Sequence, residues 1–152
     1  MENYNDKLAD KLEHLLSICN DGKEGYKNAS DSVEDLELRR LFLSYSNQRS
    51  AFATELKALL SQLGGDRTNK EGGPLGAMHR AWMDVKAALT GKDRAAILSA
   101  CITGDKAAIE AYDDVLDDED LKNDIIKTLV NKQRQEIREA LSSIEKLEER
   151  VD

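Results

Sequence analysis

The feature that most constrains the fold of this chain is a helical repeat pattern that occurs twice. Between residues 15 and 33, apolar or small residues recur in alternating steps of four and three, the spacing of one face of an α-helix. The same steps recur at an offset of 82 residues, as in the pairs Cys19–Cys101 and Gly22–Gly104. The second and fourth helical segments echo each other more loosely, at an offset of 85 residues. The sequence therefore predicts two copies of one helical hairpin.

Four long segments carry this periodicity. Gly22 and Gly25 do not change the phase of the first segment, so we expect one continuous helix there. The predicted inward residues of the first helix are Leu8, Leu12, Leu15, Cys19, Gly22, Tyr26, Ala29 and Val33, and those of the second are Leu38, Leu41, Tyr45, Gln48, Phe52, Leu56, Leu59 and Leu63. Those of the third are Ile97, Cys101, Gly104, Ala108, Ala111 and Val115, and those of the fourth are Leu121, Ile125, Leu129, Gln133, Ile137, Leu141 and Ile144.

Local signals mark the ends of these helices. Ser32, with Asp35 three residues later, resembles a capping box and predicts the start of the second helix. Gly64 and Gly65 are typical of a helix end. The acidic run at residues 117–120 precedes the fourth helix, where negative charge opposes the positive end of the helix dipole. It lacks the glycine and the ligand spacing of a calcium loop.

The connection between the second and third helices is long and contains a shorter amphipathic segment. Pro74 suits the first turn of a helix, and an apolar face runs from Leu75 through Trp82 to Leu89 before Gly91. A long crossover lets the third helix run parallel to the second, which is the connectivity of ferritin-like bundles. We therefore expect an all-α, ferritin-like antiparallel four-helix bundle, residues 1–152 as one domain, with a short extra helix in the crossover.

The charge balance and composition exclude several classes of protein. The net charge of −8 disfavours binding to nucleic acid, whose phosphates are also negative. No apolar run is long enough to span a membrane, and the first residues lack the pattern of a signal peptide. Both observations predict a cytoplasmic protein. With two cysteines, the chain has no disulfide framework.

Short motifs in a fixed order resemble those of a known family. They are DGKEGY at residues 21–26, QRSAF at 48–52 followed by Glu55-Leu56, Leu63-Gly64-Gly65, HRAW at 79–82, and the stretch from Cys101 to Tyr112. The chain resembles a bacterial family of ferritin-like four-helix-bundle proteins of unknown function, which has DGxxGY and HRxW motifs. The resemblance implies a ferritin-like fold and a link to stress responses, and it implies no established activity. Many relatives are expected to have histidine where this chain has Leu141.

A ferritin-like metal centre requires inward carboxylates and a Glu-x-x-His motif at mid-bundle. The predicted mid-bundle layer instead consists of Cys19, Gln48, Cys101 and Gln133, and no Glu-x-x-His occurs in the chain. Weaker metal candidates flank the inward faces; they are Asp21, Glu24, Glu55, His79 and Asp105. We therefore expect no cofactor, with iron or another divalent metal as the alternative.

Two pairs in the predicted layer allow more than one interpretation. Cys19 and Cys101 are either small core residues or a thiol pair that could form a disulfide or hold a soft metal ion. Gln48 and Gln133 are expected to hydrogen-bond inside the core, because an unpaired buried amide is costly. Arg49 and Lys23 lie close enough in sequence to join such a network with Asp105 or Glu136.

The sequence thus predicts a non-catalytic bundle that acts through protein contacts, as a homo-oligomer and most simply a dimer. The alternative is a metal-binding or redox protein that uses the cysteines or the flanking acids. A third possibility makes the crossover helix, with His79, Arg80 and Trp82, an interaction surface.

Overall fold

The computed structural model describes residues 4–63 and 93–150, and within these ranges the chain forms four helices and no strand. The helices are α1 at Tyr4–Ser32, α2 at Leu36–Gln62, α3 at Arg94–Leu116 and α4 at Asp124–Glu149. This confirms the all-α prediction. The predicted glycine stop at residues 64–65 and the predicted short helix at 74–91 lie outside the described residues.

The first helix is continuous, as its periodicity predicts. α1 runs through Gly22 and Gly25 over 29 residues without a break. Every residue of its predicted inward face, from Leu8 to Val33, is buried. Because α1 packs along its whole length, the low helix propensity of the two glycines does not interrupt it.

The starts of α2, α3 and α4 follow one pattern, in which a side-chain oxygen accepts a backbone N–H of the first turn. Asp35 caps α2 by accepting the N–H of Glu37 at 2.9 Å, and Asp93 and Asn123 cap the other two helices. Ser32 instead ends α1, where its hydroxyl donates to the carbonyl of Asn28. The predicted capping role of Ser32 is therefore wrong, and Asp35 is the cap.

The helices pack around one apolar core. α1 contacts α2 and α3, and α4 contacts the same two helices. Within the described ranges, the backbones of α2 and α3 do not approach each other, nor do those of α1 and α4, so each of these pairs occupies opposite corners. None of the described helices is long and apolar enough to cross a membrane.

The buried faces of α2 and α4 match the predicted faces only in part, because at several positions the residue next to the predicted one is buried instead. Phe42 and Arg49 are buried where Leu41 and Gln48 were expected, and these two are half-buried. At the start of α4, Ile126 is buried, whereas Ile125 is 73% exposed. A helix that contacts two neighbours buries a wide arc, and the sequence stripe alone does not fix the centre of that arc.

Candidate functional site

The core contains two groups of polar side chains that hydrogen-bond across helices. The first, called here the Arg49 cluster, consists of Tyr26, Gln48, Arg49 and Asp105. The second, called the Tyr112 chain, consists of Cys19, Tyr112, Gln133 and Glu55. Together they join all four helices. Arg49 and Asp105 lie at mid-length of α2 and α3, where a metal site would be expected.

An ion pair between opposite corners forms the centre of the Arg49 cluster. Arg49 of α2 donates from Nη1 to Oδ1 of Asp105 of α3 at 3.0 Å. The side chains are 1% and 0% exposed, so water does not screen this pair. Tyr26 of α1 donates its hydroxyl to the second carboxylate oxygen, Oδ2, at 2.6 Å. One carboxylate thus holds residues of two other helices.

The surroundings of the guanidinium stabilise its charge only in part. Its centre lies 5.2 Å from the centroid of the Tyr26 ring, a cation–π contact, and Nε donates to Oε1 of Gln48 at 3.0 Å. Nη2 is buried and has no hydrogen-bond partner among the described residues. Burial lowers the pKa of Arg49, but the adjacent Asp105 more than offsets this, and the pKa lies above its usual range. Arg49 is therefore a permanent buried cation.

Gly22 makes room for this cation. A Cβ atom at Gly22 would lie 3.2 Å from Nη1 and 3.4 Å from Cγ of Arg49. Almost any side chain at this position would press on Arg49 and disturb its hydrogen bond to Asp105. Because Gly22 has no side chain, the side chain of Arg49 from α2 can occupy this part of the core.

The Tyr112 chain runs from a thiol to a carboxylate. Tyr112 of α3 donates its hydroxyl to Oε1 of Gln133 of α4 at 2.7 Å. Since the phenol has only one proton, the thiol of Cys19 is the donor in the 3.1 Å contact between Sγ and Oη of Tyr112. Gln133 donates from Nε2 to Oε1 of Glu55 at 3.2 Å and to the carbonyl of Phe52 at 3.3 Å.

Burial keeps the thiols of Cys19 and Cys101 and the hydroxyls of Tyr26 and Tyr112 protonated near neutral pH. Burial raises the pKa of the Cys19 thiol to about 11, although Tyr112 and Arg49 act in the opposite direction. It raises the pKa of Cys101 further, and Asp105 contributes in the same direction. The hydroxyls of Tyr26 and Tyr112 also have strongly raised pKa values, mainly through burial. Neither thiol is poised as a nucleophile or as a thiolate ligand.

The structure places the predicted site residues in different environments. Of the predicted mid-bundle layer, Cys19, Cys101 and Gln133 are buried, whereas Gln48 is half-buried and accepts a hydrogen bond from Arg49. The partners of Gln133 are Tyr112, Phe52 and Glu55, and not Gln48 as the sequence suggested. Cys19 and Cys101 are free thiols.

The candidate acids do not form a common ligand set. Asp105 is buried and paired with Arg49, Glu55 is half-buried on Gln133, Asp21 is half-buried, and Glu24 is exposed. In the described part of the chain, no three His, Cys, Asp or Glu side chains are grouped so that they could hold a metal ion. His79, Arg80 and Trp82 lie outside the described residues.

The sequence predicts Arg49 in a network with Asp105 or Glu136, and the structure pairs it with Asp105 in the core. A signal for this was present, because Arg49 is the only charged residue between positions 41 and 54, and Asp105 is the only one between 95 and 105. A single charge in a long uncharged helical run is expected to find a buried partner of opposite sign. The predicted inward stripe of the third helix does not include Tyr112, because the neighbouring Ala111 continues the steps of four and three.

The chain belongs to the family described as a domain of unknown function, DUF2383. The model of this family matches residues 7–118, which include most of α1 and all of α2 and α3. No curated protein matches the chain. The family description names no activity, so the function must be inferred from the geometry of the DUF2383 fold itself.

Proposed function

We propose that this DUF2383 protein is a non-catalytic, single-domain bundle of ferritin-like type that acts through protein–protein contacts. The observation that carries the proposal is the buried Arg49–Asp105 pair at mid-length of the helices. A ferritin-like metal centre needs several inward carboxylates around a divalent cation. Here the buried acid already neutralises a guanidinium, and a second cation nearby would be repelled.

Contacts between helices support an antiparallel arrangement. Along α1 and α3, Cys19 contacts Tyr112 and Tyr26 donates to Asp105, and Lys11 pairs with Asp118 just after the end of α3, so residue numbers rise on one helix as they fall on the other. The same opposite order relates α1 to α2, since Gly22 lies against Arg49 and the Ser46 hydroxyl donates to the carbonyl of Lys23.

If α2 and α3 each run opposite to α1, they run parallel to each other. Residues 64–92 must then cross from the end of α2 to the start of α3 along the length of the bundle. This is the crossover of a ferritin-like bundle, and the short helix proposed at 74–91 would lie within it. The link to stress responses, the bacterial origin and the cytoplasmic location rest on the resemblance and on composition, and they stay predictions.

Elemental analysis tests the absence of a metal role. Protein purified without chelator and then incubated with Fe(II), Mn(II) or Zn(II) is expected to retain less than about one tenth of an equivalent of metal per chain, since no preformed ligand set draws it in. A stoichiometric metal that is lost in both Cys19→Ala and Asp105→Asn, with helicity unchanged by circular dichroism, would contradict the proposal.

The alternative function, a thiol-based metal or redox protein, has less support. Metal binding and thiol oxidation both proceed through the thiolate, and burial raises the pKa values of Cys19 and Cys101. The third possibility, an interaction surface at His79, Arg80 and Trp82, remains a proposal. Alanine at Trp82 should weaken association without unfolding the chain if that surface is used.

A further inference from the structure

We draw no further inference here: the strongest candidate, the cavity between the start of α1 and the connection from α3 to α4, selects no class of ligand, because the carboxylates of Asp118 and Asp120 oppose the ammonium groups of Lys7, Lys11 and Lys122 in its lining and Lys11 is already paired with Asp118.

Discussion

Gly22 of α1 lies directly against the guanidinium of Arg49 on α2, and this contact allows a full-sized arginine into the core. A Cβ at Gly22 would approach Nη1 to 3.2 Å. Gly22→Ala usually stabilises a helix by about 1 kcal/mol, but overpacking of a core costs about 1–3 kcal/mol. We expect a net loss of about 1 kcal/mol in the free energy of unfolding, measured by urea denaturation. In the background Arg49→Met with Asp105→Asn, the same substitution should be neutral or stabilising, and an equal loss in both backgrounds would contradict this explanation.

The free energy of unfolding should fall much more when one partner of the buried ion pair is removed than when both are removed. Arg49→Met leaves Asp105 buried without its counter-charge and should lower the free energy of unfolding by about 3–5 kcal/mol. The double variant Arg49→Met with Asp105→Asn should recover most of this loss. Urea denaturation of the single and double variants measures the coupling.

Arg134 provides the control for that experiment, because it occupies the position equivalent to Arg49 in the second hairpin. Its side chain is 22% exposed, and Nε donates to Asp113. Arg134→Met should cost about 1 kcal/mol or less, as is typical of ion pairs that reach solvent. A loss as large as that of Arg49→Met would show that burial does not explain the difference.

The hydroxyl of Tyr112 should contribute measurably to stability. Tyr112→Phe removes the donor to Oε1 of Gln133, and the buried amide oxygen is left without it. The expected loss is about 1–3 kcal/mol in the free energy of unfolding. Adding Gln133→Leu should recover part of it, since the buried amide oxygen that lost its donor is then removed as well. If the double variant loses the sum of the two single effects, the hydrogen bond is not the cause.

The Cys19 thiol should make stability fall at high pH. Its pKa is about 11 in the folded chain, compared with an ordinary value of 9.0 that we take for the unfolded chain. Below pH 9 both states hold the proton. Between about pH 9 and 11 the unfolded state loses it first, so the free energy of unfolding falls by up to about 3 kcal/mol as the pH rises.

Urea denaturation at a series of pH values from 8 to 11 measures this slope. In Cys19→Ala the slope should be smaller, although the buried Cys101 and the tyrosines contribute in the same direction. An unchanged slope in Cys19→Ala would mean that the thiol does not titrate as expected. Near neutral pH, a thiol reagent should label Cys19 only after unfolding.

Two substitutions test which residue caps the start of α2. Asp35→Ala should lower the free energy of unfolding by about 1 kcal/mol, because the N–H of Glu37 loses its acceptor. Ser32→Ala should have little effect, since Ser32 ends α1 and its hydroxyl bonds a carbonyl of the same helix. Larger effects at Ser32 than at Asp35 would favour the capping box that the sequence suggested.

The helices could be predicted from the sequence because their periodicity is local. Each stripe spans five or more turns, and α1 keeps its phase through both glycines, so the element and most of its buried face follow from spacing alone. The centres of the buried arcs on α2 and α4 could not be predicted. They depend on which two neighbours each helix contacts, and this places Arg49 inside in preference to Gln48.

The candidate site could be predicted only in part, for a related reason. Cys19, Cys101 and Gln133 were expected in the interior because they continue apolar stripes. Asp105 was expected on the flank of its helix, and its burial depends on a guanidinium from another helix. Contacts between residues 56 positions apart leave no periodic signal in either segment, although the uncharged runs around Arg49 and Asp105 are consistent with them.

The pairing of Arg49 with Asp105 makes the two hairpins dependent on each other. Arg49 belongs to the N-terminal hairpin and Asp105 to the C-terminal one, so a fragment that ends after α2 would contain a cation with no counter-ion. Such a fragment should remain largely unfolded, and its complement should behave likewise. Mixed in equal amounts, the two pieces are expected to regain helicity together, because each supplies the charge that the other lacks.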